Sequence, residues 1–288
     1  MPNQKRVIYG PGFALQSGLS PLVMGILNVT PDSFSDGDEH FTPSTAIEHA
    51  LKMVNAGADV IDIGGESSRP GSSGVSLDEE LGRVIPVIES LAKRLSVPLS
   101  IDTRHASVAT AAIEAGCTMV NDITACSDPD MIDVLKISKV PVVLMHMKGQ
   151  PESMQTNPTY EDVVGEVTSF LVERADLLER SGIEGDKIII DPGIGFGKRF
   201  QDNLDLLRAI EFFRDTGYAI LVGGSRKSFL GELLDAAPNE RLAGSLAVAA
   251  WCHRAGVEVI RVHDVKETVE LFRVLNAIEY ENDVTTDR

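Results

Sequence analysis

The sequence predicts an α/β protein folded as a single (β/α)8 TIM barrel with a short N-terminal extension. Short runs of Val, Ile and Leu alternate with longer amphipathic segments, which is typical of parallel strands covered by helices on both faces. The chain has 288 residues, close to the roughly 250 that one such barrel needs. Seven repeats separate Asn28 from Arg261, so each takes about 33 residues and suits one βα unit. A doubly wound open sheet is the alternative that this periodicity leaves open.

Eight near-continuous apolar runs are predicted as the parallel strands. They are Leu22–Asn28, Asp59–Gly64, Pro98–Asp102, Met119–Asp122, Pro141–Met145, Lys187–Asp191, Ala219–Gly223 and Glu258–Val262. No Pro- or Ser-rich linker separates these runs, so we assign them to one sheet.

Eight amphipathic segments are predicted as helices. They are Pro43–Asn55, Leu77–Leu95, Ser107–Ala115, Pro129–Ser138, Tyr160–Ser181, Asn203–Asp215, Glu240–Ala255 and Val265–Glu279. Several end beside a glycine suited to a left-handed C-cap, at Gly57, Gly116, Gly182, Gly217 and Gly256. The related phrases NAGADVIDIG, EAGCTMVND and RAGVEVIRV show short loops leading from helix to strand, as βαβ units require.

The barrel is predicted over residues 22–280, with a short segment at each end. Residues 1–21 are expected to form an N-terminal extension, a hairpin closing the bottom of the barrel. Residues 281–288 are a polar tail.

Composition excludes several classes of protein. With 43 acidic and 26 basic side chains the formal net charge is −17, so no nucleic-acid partner is expected. No run approaches the roughly 18 apolar residues of a membrane span, and the N-terminus lacks a secretory pattern. Three cysteines without a CxxC pair favour a reducing compartment and burial of Cys117, Cys126 and Cys252. We therefore expect a cytoplasmic protein.

Polar or otherwise special residues stand at or just beyond the carboxyl end of every predicted strand. In a TIM barrel these ends carry the reacting groups. Any one of them has the ordinary interpretation of a turn or helix cap. All eight together favour one concave site at the barrel mouth.

This predicted site has two chemical halves. Asp102, Asn121 and Asp191 suit a heterocycle with an amino–imine edge, because a carboxylate can accept two N–H bonds. The cations suit an anionic tail, and they are Arg69, Arg226, Lys227, Arg261 and His263. The loops after strands seven and eight, where most of these cations lie, are where such barrels most often bind phosphate.

Several other motifs in the sequence do not indicate a functional site. The run GIGFGK at 193–198 is one residue short of a nucleotide-binding loop and lacks the final Ser or Thr. His146, between two methionines and without a second histidine at ligand spacing, is expected to be packed rather than a metal ligand. No GxSxG elbow supports acyl transfer. Trp251 is expected in the core.

Eight ordered segments at the strand ends resemble the dihydropteroate synthase family, over residues 22 to 279. They are GILNVTPDSFSDG (25–37), IDIGGESSRPG (61–71), SIDTR (100–104), NDI (121–123), LMHM (144–147), IDPGIGFGK (190–198), GGSRKSF (223–229) and RVHDV (261–265). The resemblance implies a pterin-binding barrel, a homodimer, that condenses 7,8-dihydropterin-6-ylmethyl diphosphate with 4-aminobenzoate in folate biosynthesis. It also implies Mg²⁺ as cofactor.

The resemblance assigns site residues by group. The pterin is expected at Asp102, Asn121, Asp191 and Lys227, and the metal at Asn28. The diphosphate is expected at Asn28, Ser68, Arg69, Arg261 and His263. The aminobenzoate is expected at Phe34, Pro70, Phe196, Lys227 and Ser228. One departure is Ser68, where the family usually has Thr: the hydroxyl is kept and a methyl is lost.

The reaction is predicted to be dissociative, SN1-like, with diphosphate leaving before the arylamine attacks. Asp36 and Asp102 are the carboxylates expected near the resulting cation, and the catalytic set is Asp36, Arg69, Asp102, Lys227, Arg261 and His263. Residues 30–37 and 67–74 are predicted as lids that exclude water. Two alternatives are a methyltetrahydrofolate-dependent methyltransferase, which has no diphosphate to bind, and a non-catalytic pterin-binding paralogue.

Overall fold

The computed structural model describes residues 6–30, 42–67, 71–72 and 74–280. Eight parallel strands form a barrel, and they are β3 (Leu22–Asn28), β4 (Val60–Gly64), β5 (Leu99–Asp102), β6 (Met119–Asp122), β7 (Val142–Met145), β8 (Ile188–Asp191), β9 (Ala219–Val222) and β10 (Val259–Val262). They close in the order β10-β3-β4-β5-β6-β7-β8-β9. The last strand pairs with the first, from Val259 opposite Leu22 to Val262 opposite Gly25. This pairing confirms the TIM barrel and excludes the open sheet.

A two-stranded antiparallel hairpin precedes the barrel, formed by β1 (Val7–Gly10) and β2 (Phe13–Gln16). Ile8 of β1 is 1% exposed and belongs to a cluster that includes Leu22, Val60 and Val259, each the first residue of its strand. The hairpin therefore lies under the amino-terminal ends of the strands, opposite the mouth.

Helices surround the barrel. They are α1 (Pro43–Asn55), α2 (Leu77–Ala92), α3 (Ala106–Ala115), α4 (Met131–Ser138), α5 (Val163–Arg180), α6 (Phe200–Arg208), α7 (Ile210–Arg214), α8 (Ser228–Leu234), α9 (Leu242–Ala255) and α10 (Val265–Glu279). The five glycines predicted as C-caps all have positive φ.

Two helix predictions were wrong. The segment predicted as Asn203–Asp215 is two helices, because Ala209 leaves helical geometry, with ψ at 16°. Its start lies three residues earlier, at Phe200, since the Asp202 carboxylate accepts a 2.8 Å bond from the Arg199 backbone N–H and caps the first turn. The short helix α8, directly after Lys227, was missed altogether.

Alternation along each strand decides which side chains enter the barrel. Residues such as Ile61, Ile63 and Ile101 belong to the large cluster between strands and helices. The alternate positions face inward: Val60 lies in the bottom cluster, while Asp62 contacts Arg261 across the barrel. The same parity places polar side chains of β3, β5, β6, β8 and β10 in the upper half of the interior.

The structure also bears on the predictions for the cysteines, for membrane-spanning helices and for Trp251. The three cysteines are buried and unpaired, as predicted. Within the described ranges the structure has no helix long and apolar enough to cross a membrane. Trp251 was wrongly placed in the core: it is 52% exposed on α9, where its indole N–H donates to the Leu207 carbonyl at 2.8 Å.

Candidate functional site

A buried charge network lines one side of the barrel mouth. The Arg261 guanidinium lies between two carboxylates, with Nε 2.6 Å from Asp62 Oδ2 and Nη2 2.7 Å from Asp102 Oδ2. Asp62 is fully buried, and the same Oδ2 accepts a 3.0 Å bond from the side-chain amide of Asn121. The network thus joins β4, β5, β6 and β10 through side chains alone.

The acids of this network affect one another. Burial raises the pKa of Asp102, and the charges of Asp62, Glu80 and Asp122 raise it further, while the Arg261 guanidinium lowers it. The ionised form of Asp102 therefore depends on Arg261. Because an ionised carboxylate only accepts hydrogen bonds, Asp62 also fixes the amide of Asn121 with its NH₂ toward β4.

Asp191 ends β8 and begins a tight loop. Its Oδ1 accepts a 2.7 Å bond from the backbone N–H of Gly193, and burial raises the pKa of Asp191 to about 6. Gly193 has φ 67°, and a Cβ there would lie 2.0 Å from the carbonyl oxygen of His146. Only glycine fits this approach. The run GIGFGK, which partly resembles a nucleotide-binding loop, is therefore a structural turn that orients Asp191.

Lys227 crosses the mouth from the loop after β9. Its Nζ lies 3.8 Å from the centroid of the Phe196 ring, a cation–π contact. Burial lowers the pKa of Lys227 to about 8, with Arg261 adding to the effect and the carboxylates of Asp191 and Asp102 opposing it. Phe196 is itself buried, in a cluster with Met145 of β7. The ammonium group is therefore held between an aromatic face and acids.

A second lysine is a structural part of the same loop. Lys198 is 3% exposed, and its Nζ lies 3.0 Å from His146 Nδ1, 3.1 Å from the His146 carbonyl and 3.0 Å from the Phe196 carbonyl. Burial lowers the pKa of Lys198 to about 7, and burial next to this lysine lowers the pKa of His146 to about 3. The packed role expected of His146 is thus observed: the imidazole stays neutral and accepts from Lys198.

Two predicted cations of the last two loops have partners in the structure. The Arg226 guanidinium pairs with Asp264, with Nε 3.1 Å from Oδ2, so part of its charge is neutralised there. Arg226 has φ 56°, a left-handed backbone conformation. His263 Nδ1 lies 3.1 Å from Ser225 Oγ. Ser225 thus fixes the imidazole relative to the loop after β9.

The remaining predicted residues fall into two groups. Asn28 ends β3 on the inward parity, opposite Gly64 of β4, and Ser228 is the exposed first residue of α8. Five predicted residues lie outside the described ranges, and they are Phe34, Asp36, Ser68, Arg69 and Pro70. The two predicted lids, 30–37 and 67–74, fall mostly in those gaps.

Two members of the site, Asp62 and Lys198, are not among the residues predicted from the sequence. Asp62 lies in the middle of the apolar run DVIDIG, where a charged residue on a buried parallel strand is itself a signal of function. Lys198 was treated only as part of a failed nucleotide motif, yet it closes the loop that carries Phe196.

Taken together, the mouth offers acceptors on one wall and cations beside them. Asp102, Asn121 and Asp191 come from strands β5, β6 and β8, with Lys227 and Arg261 between them. Acceptors so placed suit a flat ring rich in N–H groups, and the spare guanidinium N–H groups of Arg261 suit an anion attached to it.

Comparisons with known proteins agree with this geometry. The family model described as pterin binding enzyme matches residues 24–263. Dihydropteroate synthase of Escherichia coli (strain K12) is 48% identical over 257 residues, covering 89% of this chain and 91% of that protein. The Xanthomonas albilineans dihydropteroate synthase solved with 4-aminobenzoic acid matches with a TM-score of 0.90 and 44% identity, covering 96% of this chain and 99% of that one. The same enzyme solved with 7,8-dihydropteroate matches with a TM-score of 0.84 and 44% identity, covering 93% and 97%.

Proposed function

Because the chain belongs to the dihydropteroate synthase family of pterin-binding enzymes, we propose that it condenses 7,8-dihydropterin-6-ylmethyl diphosphate with 4-aminobenzoate. The products are 7,8-dihydropteroate and diphosphate. The observation that carries the proposal is the acid-lined inner wall, where Asp102, Asn121 and Asp191 stand at the carboxyl ends of three strands beside Lys227.

The wall explains recognition of the pterin ring. Asp62 takes the NH₂ group of Asn121, so the amide oxygen is the atom that Asn121 offers to a ligand. Asp191 and Asp102 add carboxylate oxygens, and a reduced pterin presents several N–H groups to such acceptors. Lys227 donates in the opposite sense, to a ring carbonyl or nitrogen.

Arg261 is proposed to bind the diphosphate while it keeps its ion pairs with Asp62 and Asp102. A guanidinium has five N–H donors, and two of them are used on Asp62 and Asp102. The others are available for phosphate oxygens, with His263 on the adjoining loop. Ser68 and Arg69 are proposed to complete this anion subsite.

The donor set fits Mg²⁺ as a cofactor that arrives with the substrate. Asn28 provides one neutral oxygen ligand, and Mg²⁺ usually keeps several waters and binds through substrate phosphates rather than an all-protein cage. Asn28 would hold the ion, which when bound neutralises charge on the diphosphate.

We propose a dissociative order of bond changes. The bond between the methylene carbon and diphosphate oxygen breaks first, and its electron pair leaves with the diphosphate, which Arg261 and His263 stabilise. The cation left on the methylene is delocalised into the reduced pterin, close to Asp102 and, by prediction, Asp36. The nitrogen lone pair of aminobenzoate then forms the new C–N bond, and the proton of the resulting ammonium passes to water. Phe34, Pro70, Phe196 and Ser228 are proposed to place the arylamine beside Lys227.

Two measurements test this function. Purified protein, pterin diphosphate, Mg²⁺ and labelled 4-aminobenzoate are expected to give labelled dihydropteroate, and absence of product contradicts the proposed activity and would favour a non-catalytic paralogue. Methyl transfer from methyltetrahydrofolate is not expected.

Slow release of diphosphate without aminobenzoate supports the dissociative order, whereas strict dependence of release on aminobenzoate opposes it.

The protein is also proposed to act as a homodimer in the cytoplasm. Neighbouring helices α7, α9 and α10 each expose a large apolar side chain, with Phe212 53%, Trp251 52% and Val274 58% exposed, and exposed apolar side chains on adjoining elements are typical of a protein–protein contact. Sedimentation velocity is expected to show twice the 31.0 kDa chain mass. Val274→Asp should give monomer, while Ile137→Asp, at an 85% exposed position on α4, should not. Wild-type monomer would refute the dimer.

A further inference from the structure

A buried carboxylate outside the pterin wall has no close ion-pair partner among the described residues. Glu80, in the first turns of α2, is 0% exposed, and neither of its oxygens forms a hydrogen bond of normal geometry with a described residue. The hydroxyl of Thr103 is close enough to favour the ionised form, although burial raises the pKa of Glu80 overall. A buried carboxylate in this state is costly unless it is protonated or meets a cation.

Two other metal-ligating side chains converge on Glu80. The Nε2 of His105 lies 4.0 Å from Glu80 Oε2, and one ligand atom from each of Glu66, Glu80 and His105 lies within 4.8 Å of the other two. These residues come from three separate elements: the segment after β4, helix α2, and the N-cap of α3. His105 makes no side-chain cap bond with its own helix, so its ring is not committed there.

Local packing brings the three groups together. A Cβ at position 65 would lie 2.7 Å from Val84 and 3.1 Å from the Cγ of Glu80, so glycine at 65 permits α2 to approach the end of β4. Arg104 binds Glu66 with two bonds, Nε to Oε2 at 3.1 Å and Nη2 to Oε1 at 3.0 Å. A carboxylate has about four lone-pair sites, so Glu66 can keep Arg104 and still bind a metal.

We propose that Glu66, Glu80 and His105 form a binding site for a divalent transition-metal ion such as Zn²⁺. One imidazole nitrogen and two carboxylate oxygens are a donor set that Zn²⁺ accepts, with a water as a fourth ligand. In a tetrahedral site with ligands at about 2.1 Å, two ligand atoms are about 3.4 Å apart, so the side chains need to close by up to about 1.4 Å. The site does not involve Asn28 or any other residue assigned to the substrates.

The bound ion has a structural consequence. It joins the end of β4 to the starts of α2 and α3, and it places a divalent positive charge against the buried carboxylate of Glu80. We therefore expect the ion to stabilise the fold, because a ligand that binds only the native state raises its stability.

Calorimetric titration with Zn²⁺ alone tests the site. The wild-type protein is expected to bind one ion per chain, with affinity reduced about tenfold or more in Glu80→Gln and His105→Asn. His49→Asn, at a histidine on α1, and Asn28→Ala should bind as the wild type does. The proposal is overturned if the wild type does not bind Zn²⁺, or if Glu80→Gln and His105→Asn both bind it as tightly as the wild type does. Neither result bears on whether the protein forms dihydropteroate.

Thermal melts give an independent readout. Zn²⁺ should raise the Tm of the wild type but not that of Glu80→Gln. Without metal, Glu80→Gln should melt no lower than the wild type, since it removes an uncompensated buried charge. If Glu80→Gln does not fold, the partly exposed His105 keeps the test decisive: a Zn²⁺-induced rise in the Tm of His105→Asn equal to that of the wild type contradicts the site.

Discussion

Replacing Asp62 with asparagine should make the protein less stable and, at the same time, active at lower pH. Asp62 is fully buried and accepts bonds from Arg261 at 2.6 Å and from Asn121 at 3.0 Å. An amide oxygen at the same place keeps both contacts but loses their charge assistance, about 1 kcal/mol each. The amide nitrogen takes the place of Oδ1, which has no partner among the described residues, and adds about 1 kcal/mol. The free energy of unfolding should therefore fall by about 3 kcal/mol, and the Tm by about 6 °C.

Although Asp62→Asn should lower stability, it should extend activity to lower pH. The charge of Asp62 raises the pKa of Asp102, and Asp62 also shares the guanidinium that lowers it. In Asp62→Asn both changes lower the pKa of Asp102. Asp102 is proposed to act as the carboxylate, so activity is lost as pH falls through its pKa, and a lower pKa extends activity to more acid pH. The shift should stop where Asp191, with a pKa raised to about 6, becomes limiting.

The assay is the pH dependence of kcat/KM for dihydropteroate formation, alongside thermal melts. The matched control is Asp59→Asn: its carboxylate accepts the Val23 backbone N–H at 2.8 Å at the opposite end of the barrel, so this variant should lose stability without moving the acid limb. An unmoved or raised acid limb in Asp62→Asn would refute the coupling between Asp62 and Asp102.

The remaining predictions concern the two lysines. Lys227→Met should weaken pterin binding about tenfold or more. In the wild type, pterin affinity should fall as pH rises through about 8, because the Lys227 ammonium loses its proton, and the variant should lack this basic limb. Fluorescence titration of pterin binding across pH tests this, and a basic limb that persists in Lys227→Met would count against it. Lys198→Met leaves three acceptors unsatisfied and should lower the free energy of unfolding by about 2 kcal/mol in denaturant melts. The pKa of Lys198 is lowered on folding to about 7, so its contribution to stability should rise with pH between pH 7 and 10; a wild-type–variant difference that does not change over this range contradicts that assignment.

The barrel could be predicted because its signal is local and repeated. Each strand is a short apolar run, and several helices end beside a glycine such as Gly57 or Gly256, so the eight βα units follow from the chain itself. The break at Ala209 and the seven-residue α8 were not predicted, because a one-residue departure from helical geometry and a helix of two turns leave no clear mark on the apolar periodicity.

The site was only partly predictable for a similar reason. Asp102, Asn121 and Asp191 follow from their positions at strand ends. Asp62 does not, because it stands in mid-strand and its partner Arg261 lies 199 residues further along the chain. Likewise, neither the positive φ of Arg226 nor its ion pair with Asp264, 38 residues further along the chain, is evident from the sequence around Arg226.

The central claim is that the acid wall of the barrel mouth binds the pterin ring. Its most direct test is calorimetric titration of a 7,8-dihydropterin without diphosphate into the wild type, Asp191→Asn and Asp133→Asn, a control on exposed α4. The wild type and Asp133→Asn should bind equally, while Asp191→Asn, which keeps the shape of the side chain but not its charge, should bind about tenfold or more weakly. Equal affinity in all three proteins would contradict the claim.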